Sequence, residues 1–272
     1  MGHSLQDFLV VCDMDNTLLT AEKGIPSCNL ETVKLFCALG GRFTIASGRT
    51  ADSVGKYLDK LPLTAPAITY GGGVLYDFSR KKVISAKTLP KVAAHRALED
   101  IRAKFPSVGI EIMADNGRIY LIRANEYTHR HTLYEKLRYV VSDYADVPGE
   151  WNKVLFAAEP AVISDIADYM RFREYPGVYF VATNTVYYEI MPENVTKASG
   201  LRELCRRLSI PIENTIAIGD YYNDIDIMKA AGYSVAVANA PPEVQAEADE
   251  VTGACLDGGV AQYLYRLITK YS

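Results

Sequence analysis

The sequence predicts an α/β protein, a doubly wound parallel-sheet core with a smaller α+β module inserted into it. Three observations carry that expectation. The first third of the chain alternates short apolar runs with helix-spaced stretches, the middle third changes to paired strands with hairpin signals, and the last third returns to the first pattern.

FLVVC (residues 8–12) is a continuous apolar run bounded by charge, as expected of a strand buried on both faces. Residues 28–39 carry helical spacing at Leu30, Val33, Leu35, Phe36 and Leu39, and Gly40-Gly41 end that helix. RFTIAS (42–47) reads as a second strand, residues 50–61 as a second helix closed by Pro62, and residues 66–70 as a third strand. Strands separated by helices of this length imply right-handed crossovers and a parallel sheet. Gly71-Gly72-Gly73 reads as a turn, because no GxGxxG spacing follows. VLYDF and KKVISA flank Ser79-Arg80 as a hairpin.

From about Thr88 the texture changes. Pro90 opens a helix over 91–104, and GIEIMA and RIYLIR flank Asp115-Asn116-Gly117, a strong hairpin signal. Residues 126–139 read as helical; NKVLFAA, a helix near 161–174 and the pair VYFVAT and VYYEIM complete the region. That pattern predicts an antiparallel sheet with helices on one face. From Pro192 the alternation returns: a helix over 197–208, the strand TIAIG (215–219), a helix over 224–231, the strand YSVAVA (233–238), and helices over 242–248 and 258–269. The expected boundaries are 1–87 and 191–272 for the core and 88–190 for the insertion.

Composition narrows the function classes. Hydrophobic residues make up 49% and charged residues 23%, the balance of a soluble globular chain. A formal net charge of −4 with scattered signs gives no basic footprint for nucleic acid and no polybasic patch for a membrane surface. No apolar run approaches the length that crosses a bilayer. Met1-Gly2-His3-Ser4 fails the myristoylation pattern because Gln6 occupies the Ser/Thr position. Asn194-Val195-Thr196 matches a glycosylation sequon, which has meaning only in a secreted protein. Cys12, Cys28, Cys37, Cys205 and Cys255 are odd in number and form no CxxC pair, which fits reduced thiols and a cytoplasmic location. Cys12 adjoins two aspartates, but its apolar neighbours mark it as a buried, inert thiol.

The chemistry starts at VVCDMDNTLL (10–19), where an apolar strand runs into two aspartates one residue apart. Ligands of open parallel sheets collect beyond the carboxyl ends of the strands. Four polar clusters fall at such ends: Asp13-Met14-Asp15-Asn16-Thr17, Ser47-Gly48-Arg49, Lys197, and Gly219-Asp220-Tyr221-Tyr222-Asn223-Asp224. Together they place up to four carboxylates, Asp13, Asp15, Asp220 and Asp224, in one region. Like charges that close raise one another's pKa unless a cation joins them. No His or Cys cluster accompanies them, so the ligands are hard oxygens, which favours Mg²⁺ over zinc. Ser47 and the helix start after it suit an anion, and Lys197 adds a positive charge. These are the parts of a phosphoryl-transfer site. In an extended segment residues i and i+2 project to one side. One of the pair Asp13 and Asp15 can then attack phosphorus while the other serves as general acid–base.

DMDNTLL matches the D-x-D-x-T-L motif of the haloacid dehalogenase superfamily, and SGR, Lys197 and GDYYND match its second, third and fourth motifs in order. The stretch AIGDYYNDIDIMKAAGYSVAVANAPPEVQAEADEVT closely resembles the Cof-type phosphatases of that superfamily. The resemblance covers nearly the whole chain. It implies a Rossmann-like core and a large inserted α+β cap that selects substrate. It further implies Asp13 as nucleophile and Asp15 as acid–base. Mg²⁺ would be held by the carboxylates of Asp13 and Asp220 and by the Asp15 backbone carbonyl, with Asp224 supporting it through water or holding Lys197. Ser47 and Lys197 would bind the phosphoryl group, with Asn223 close by. An aspartate at position 15 fits the phosphatases rather than the dehalogenases. Tyr70-Gly71 departs from the frequent Asn-Gly of relatives, and Ala238 from a frequent glycine.

Blander roles compete residue by residue. Ser47 also reads as a helix cap, Asp224 as the cap of the helix that follows it, and Arg49 as a surface or helix-start residue. The tyrosines of the insertion, Tyr120, Tyr127, Tyr179, Tyr187 and Tyr188 among them, read mainly as packing for a small sheet. His129 and His131 lie two apart on a helix and do not share a face, so no metal site is expected there. Arg118, Arg123 and Arg130 read as solvated. The expected activity is Mg²⁺-dependent hydrolysis of a small phosphorylated metabolite through an aspartyl-phosphate, sugar phosphates first and phosphorylated cofactors such as pyridoxal phosphate next. The alternatives are a phosphotransferase or phosphomutase, and a non-catalytic phospho-ligand-binding module. A binder has no need of Asp15 as an acid–base.

Overall fold

The computed structural model describes residues 4–20, 24–115 and 117–271. Residues Met1-Gly2-His3, read above for a lipidation pattern, and Asn116 of the hairpin signal lie outside them. Thr50–Ser53 and Ala86–Val195 form one compact unit, and the rest of the described chain forms another.

The chain begins with β1 (Leu9–Cys12), α1 (Ser27–Ala38), β2 (Arg42–Ile45), α2 (Ala51–Gly55), β3 (Ala67–Thr69), β4 (Val74–Asp77) and β5 (Lys82–Ala86). The insertion follows: α3 (Lys91–Lys104), β6 (Gly109–Ala114), β7 (Ile119–Arg123), α4 (Glu126–Tyr134), β8 (Tyr139–Val141), β9 (Trp151–Ala157), α5 (Pro160–Met170), β10 (Val178–Asn184) and β11 (Tyr187–Pro192). The return is α6 (Lys197–Leu208), β12 (Thr215–Gly219), α7 (Ile225–Ala230), β13 (Tyr233–Val237), α8 (Pro242–Gln245), β14 (Glu250–Thr252) and α9 (Gly259–Tyr271).

In the first unit five strands form a parallel sheet in the order β14-β13-β12-β1-β2. The order reverses between β1 and β12, the switch point at which such sheets hold ligands. Alternation along β1 explains why both faces are covered. Val10 and Cys12 join one apolar cluster with Val33 and Phe36 of α1 and Leu264 of α9, while Leu9 and Val11 join another with Leu201 and Leu204 of α6 and Ile227 of α7. The third strand differs from its expected place. β3 pairs antiparallel with β4 in a separate three-stranded sheet and meets the parallel sheet at the bridge Ala46–Ile68. The second helix is also shorter than expected, because Thr50, not Ser47, accepts from the Ser53 N–H at its start and the helix ends at Gly55.

The second unit carries a sheet in the order β10-β11-β9-β6-β7-β8, antiparallel except for the parallel pair β7 and β8. Ile110, Ile112, Val154, Phe156 and Ile190 face Ala94 and Leu98 of α3 and Ile163 and Ile166 of α5 in one core. The helices do not all keep to that face. α4 meets the other one, where His131 Nδ1 lies 2.8 Å from the Glu111 carboxylate, and Glu111 alternates with the core residues Ile110 and Ile112. α4 also ends at Tyr134 rather than 139, since Lys136 takes a positive φ of 53° and the next residues form the edge strand β8. Tyr120, Tyr175 and Tyr188 pack in the core of this unit, and His129 is exposed while His131 is buried.

Candidate active site

Three of the four acidic residues converge. Asp13 follows β1, and its N–H donates to the Ile218 carbonyl of β12 at 2.8 Å, which sets it beside the end of that strand. Asp220 follows β12 directly, and Thr17 Oγ1 donates to its Oδ1 at 3.0 Å. One oxygen from each of Asp13, Asp220 and Asp224 can be chosen so that all three lie within 4.8 Å of one another. Gly219 makes the fold-back possible, since a Cβ there would stand 2.6 Å from the Cβ of Asp224.

Asp224 does not cap the helix that follows it. Its Oδ2 accepts from the N–H groups of Asp220 and Tyr221 at 3.1 and 3.3 Å, and its Oδ1 accepts from Lys197 Nζ at 2.6 Å. Both oxygens thus serve protein donors, which suits it to holding Lys197 rather than a metal directly. Lys197 opens α6 behind the capping residue Thr196, and its ammonium also donates to Asp13 Oδ1 at 2.5 Å. The glycine run explains how α6 comes so near. Gly72 sits at φ 108°, and a Cβ on it would lie 1.9 Å from the Thr196 carbonyl oxygen.

The fourth carboxylate departs from the expected cluster. Asp15 is turned onto Arg49, whose Nε and Nη2 donate to its two oxygens at 2.8 and 2.7 Å. Arg49 is 2% exposed, so it is neither a surface residue nor a simple helix start. Sequence reasoning missed it because a long cation can turn either way; its place in the SGR cluster at a strand end was the available signal. Asn239, at the end of β13, was also missed. Its side-chain amide donates to the Asn16 carbonyl at 2.9 Å and accepts from the Cys255 N–H at 2.7 Å, tying the turn after Asp15 to the loop after β14. Ser47 is buried and its Oγ accepts from the Arg49 N–H at 3.2 Å. Asn223 is exposed on the turn before Asp224.

Burial and crowding shape the charges. Burial pushes the Asp13 carboxyl well above the usual range; Lys197 opposes that shift, and Asp224, Asp220 and Asp15 reinforce it. Asp220 is raised to about 7 by burial and by Asp224. Burial works against the charge on Lys197, but Asp13 and Asp224 outweigh it and hold the ammonium protonated. Burial raises the Cys12 thiol as well, which keeps it inert. Three buried carboxylates against one ammonium leave an excess of negative charge, and all the donors are hard oxygens. That set fits Mg²⁺, with Asp13 and Asp220 as the side chains free to hold it. Asp220 also lines a cavity of about 530 Å³ with Asn16, Thr20, Tyr221 and Asn239.

Comparison with known proteins agrees with the fold. Residues 10–264 match the haloacid dehalogenase-like hydrolases, and the chain belongs to that family. It is 27% identical to the 5-amino-6-(5-phospho-D-ribitylamino)uracil phosphatase YitU of Bacillus subtilis, over 94% of this chain and 96% of that one. It is 24% identical to the pyridoxal phosphate phosphatase YbhA of Escherichia coli, over 94% and 97% of the two chains. A haloacid dehalogenase-like hydrolase from Bacteroides thetaiotaomicron superposes with a TM-score of 0.85 at 25% identity, covering 96% and 99% of the two chains.

Proposed function

We propose that this chain hydrolyses a small phosphorylated metabolite in a Mg²⁺-dependent reaction through an aspartyl-phosphate. It is a phosphatase of the haloacid dehalogenase superfamily, acting on phosphorylated small molecules. The observation that carries the finer reading is the meeting of Asp13, Asp220, Asp224 and Lys197 at the switch point of the parallel sheet.

Asp13 attacks phosphorus, the bond to the leaving oxygen breaks, and Asp15 protonates that oxygen. Water, deprotonated by Asp15, then attacks the aspartyl-phosphate and releases phosphate, which restores the Asp13 carboxylate and returns Asp15 to its protonated form. Lys197 fixes the Asp13 carboxylate through Oδ1 and offsets charge on the transferring group. Ser47, buried after β2, and Asn223, one residue before Asp224, are assigned the phosphoryl oxygens. Bound Mg²⁺, held by Asp13, Asp220 and the Asp15 carbonyl, would supply neutralising charge to that same group. Sugar phosphates are the favoured substrates, and pyridoxal phosphate is the next candidate, as the name of one relative suggests. The second unit is the part that selects among them.

The test is a panel of phosphorylated metabolites assayed for phosphate release with and without Mg²⁺. Release that needs Mg²⁺ and no added acceptor supports the hydrolase; transfer only to an added sugar favours the phosphomutase reading; tight binding without turnover leaves only a binding module. Asp13→Asn should lower turnover on the order of 10⁴-fold with circular dichroism unchanged. Full activity in that variant removes Asp13 from the nucleophile's role.

A further inference from the structure

We infer that Arg49 is a positioning residue for the acid–base step, an inference that rests on the phosphatase reading above. Its fork sets where the Asp15 carboxylate stands, and one arm of it must open before Asp15 can hand over a proton. A general acid donates from one carboxyl oxygen, yet both Asp15 oxygens accept from Arg49 here, Oδ2 from Nε and Oδ1 from Nη2. A guanidinium grips a carboxylate at two points and so dictates its plane as well as its place.

Arg49 is itself held from several sides. Its N–H donates to Ser47 Oγ at 3.2 Å, its carbonyl accepts from the Tyr70 N–H at 3.0 Å, and its guanidinium stands 5.7 Å from the centre of the Tyr57 ring. Tyr70 and Asn16, on the turns that flank the pair, both take positive φ, 52° and 57°. The Asp15 side chain is 37% exposed, whereas that of Arg49 is 2% exposed. The buried partner is therefore the fixed one, and the half-exposed carboxylate is the one with room to turn. When one arm opens, the other still tethers Asp15, so it turns toward the leaving oxygen from a defined pivot rather than from solvent.

Leaving-group dependence separates this role from a purely structural one. An alkyl phosphate needs its leaving oxygen protonated, and 4-nitrophenyl phosphate does not, while kcat/KM reports the first half-reaction for both. Arg49→Gln should lower kcat/KM for the alkyl phosphate by about 10²-fold, the scale of one general-acid contribution, and for 4-nitrophenyl phosphate by less than about fivefold. Asp15→Asn should show the same selectivity. The double variant should match Asp15→Asn within about threefold on the alkyl phosphate, because the two residues act as a unit. Should Arg49→Gln fail to fold, Arg49→Lys decides by the same ratio, since lysine keeps the charge and loses the fork. Equal losses on the two esters, or none, overturn the inference alone. Enzyme inert toward both esters overturns the phosphatase reading and the inference with it.

Discussion

Each unit of the molecule buries a lysine among carboxylates, and the two clusters differ in what surrounds them. In the first, Lys197 meets Asp13 and Asp224 where β1 and β12 end, with Asp220 as a third carboxylate. In the second, Lys153 on β9 meets Glu189 on β11 at 2.7 Å, and His131 lies between Glu111 at 2.8 Å and Glu135 at 3.3 Å. Lys153 and Glu189 are diagonal neighbours in the middle of a sheet and pair with each other. Asp220 instead lines an open cavity, and the charges around it do not balance. Buried charge paired across the middle of a sheet holds a fold together. Buried charge left in excess at the ends of parallel strands is a site waiting for a cation and an anion.

The largest expected effect comes from breaking each cluster at its lysine. Lys197→Met strands Asp13 and Asp224, and should destabilise the protein by about 3–5 kcal/mol and also collapse kcat. Lys153→Met should bring a comparable loss of about 3 kcal/mol through Glu189. Urea unfolding and phosphate release measured on both variants test the contrast, and an equal collapse of kcat in Lys153→Met would erase it.

A pH series on metal-free protein sharpens the comparison next. Burial and Asp224 raise Asp220 from 3.8 to about 7, so between those values the folded chain holds a proton that the unfolded chain has released. Stability from this group therefore falls as pH rises through that window. Mg²⁺ takes the proton's place, so added Mg²⁺ should raise the melting temperature at pH 8 and do little at pH 5. Equal shifts at both pH values would mean that the ion binds elsewhere.

A pH effect in the second unit belongs to His131. Burial opposes its charge, but Glu111 and Glu135 prevail and raise it to about 10. Its contribution is complete below the ordinary histidine value of 6.5 and is lost as pH rises through about 10. Trp151 is the one tryptophan of the chain and is buried in the core of the second unit, so its fluorescence follows unfolding there. The midpoint should fall between pH 7 and 10, and His131→Asn should flatten that slope.

Periodicity and punctuation made most of the elements legible. α6 was expected over 197–208 and runs over those residues, because the cap residue Thr196 and the spacing of Leu201 and Leu204 are local signals. β8 and β14 were missed, since three residues carry no readable period, and β8 was absorbed into the helix before it. In the site, Asp13, Asp15, Asp220 and Lys197 stood out because each falls at the end of a strand or the start of a helix. The direction of Asp15 did not, and neither did the burial of Arg49.

By itself the sequence determined which strands are buried on both faces, where they stop, and that acidic residues gather at those stops, because apolar runs and turn residues act over a few neighbours. Only the tertiary structure decided that Asp13, Asp220 and Asp224 come within reach of one another while Asp15 turns to Arg49. The partners that choose among those arrangements include pairs 203 residues apart, such as Thr17 and Asp220, and meet only once the sheet has formed.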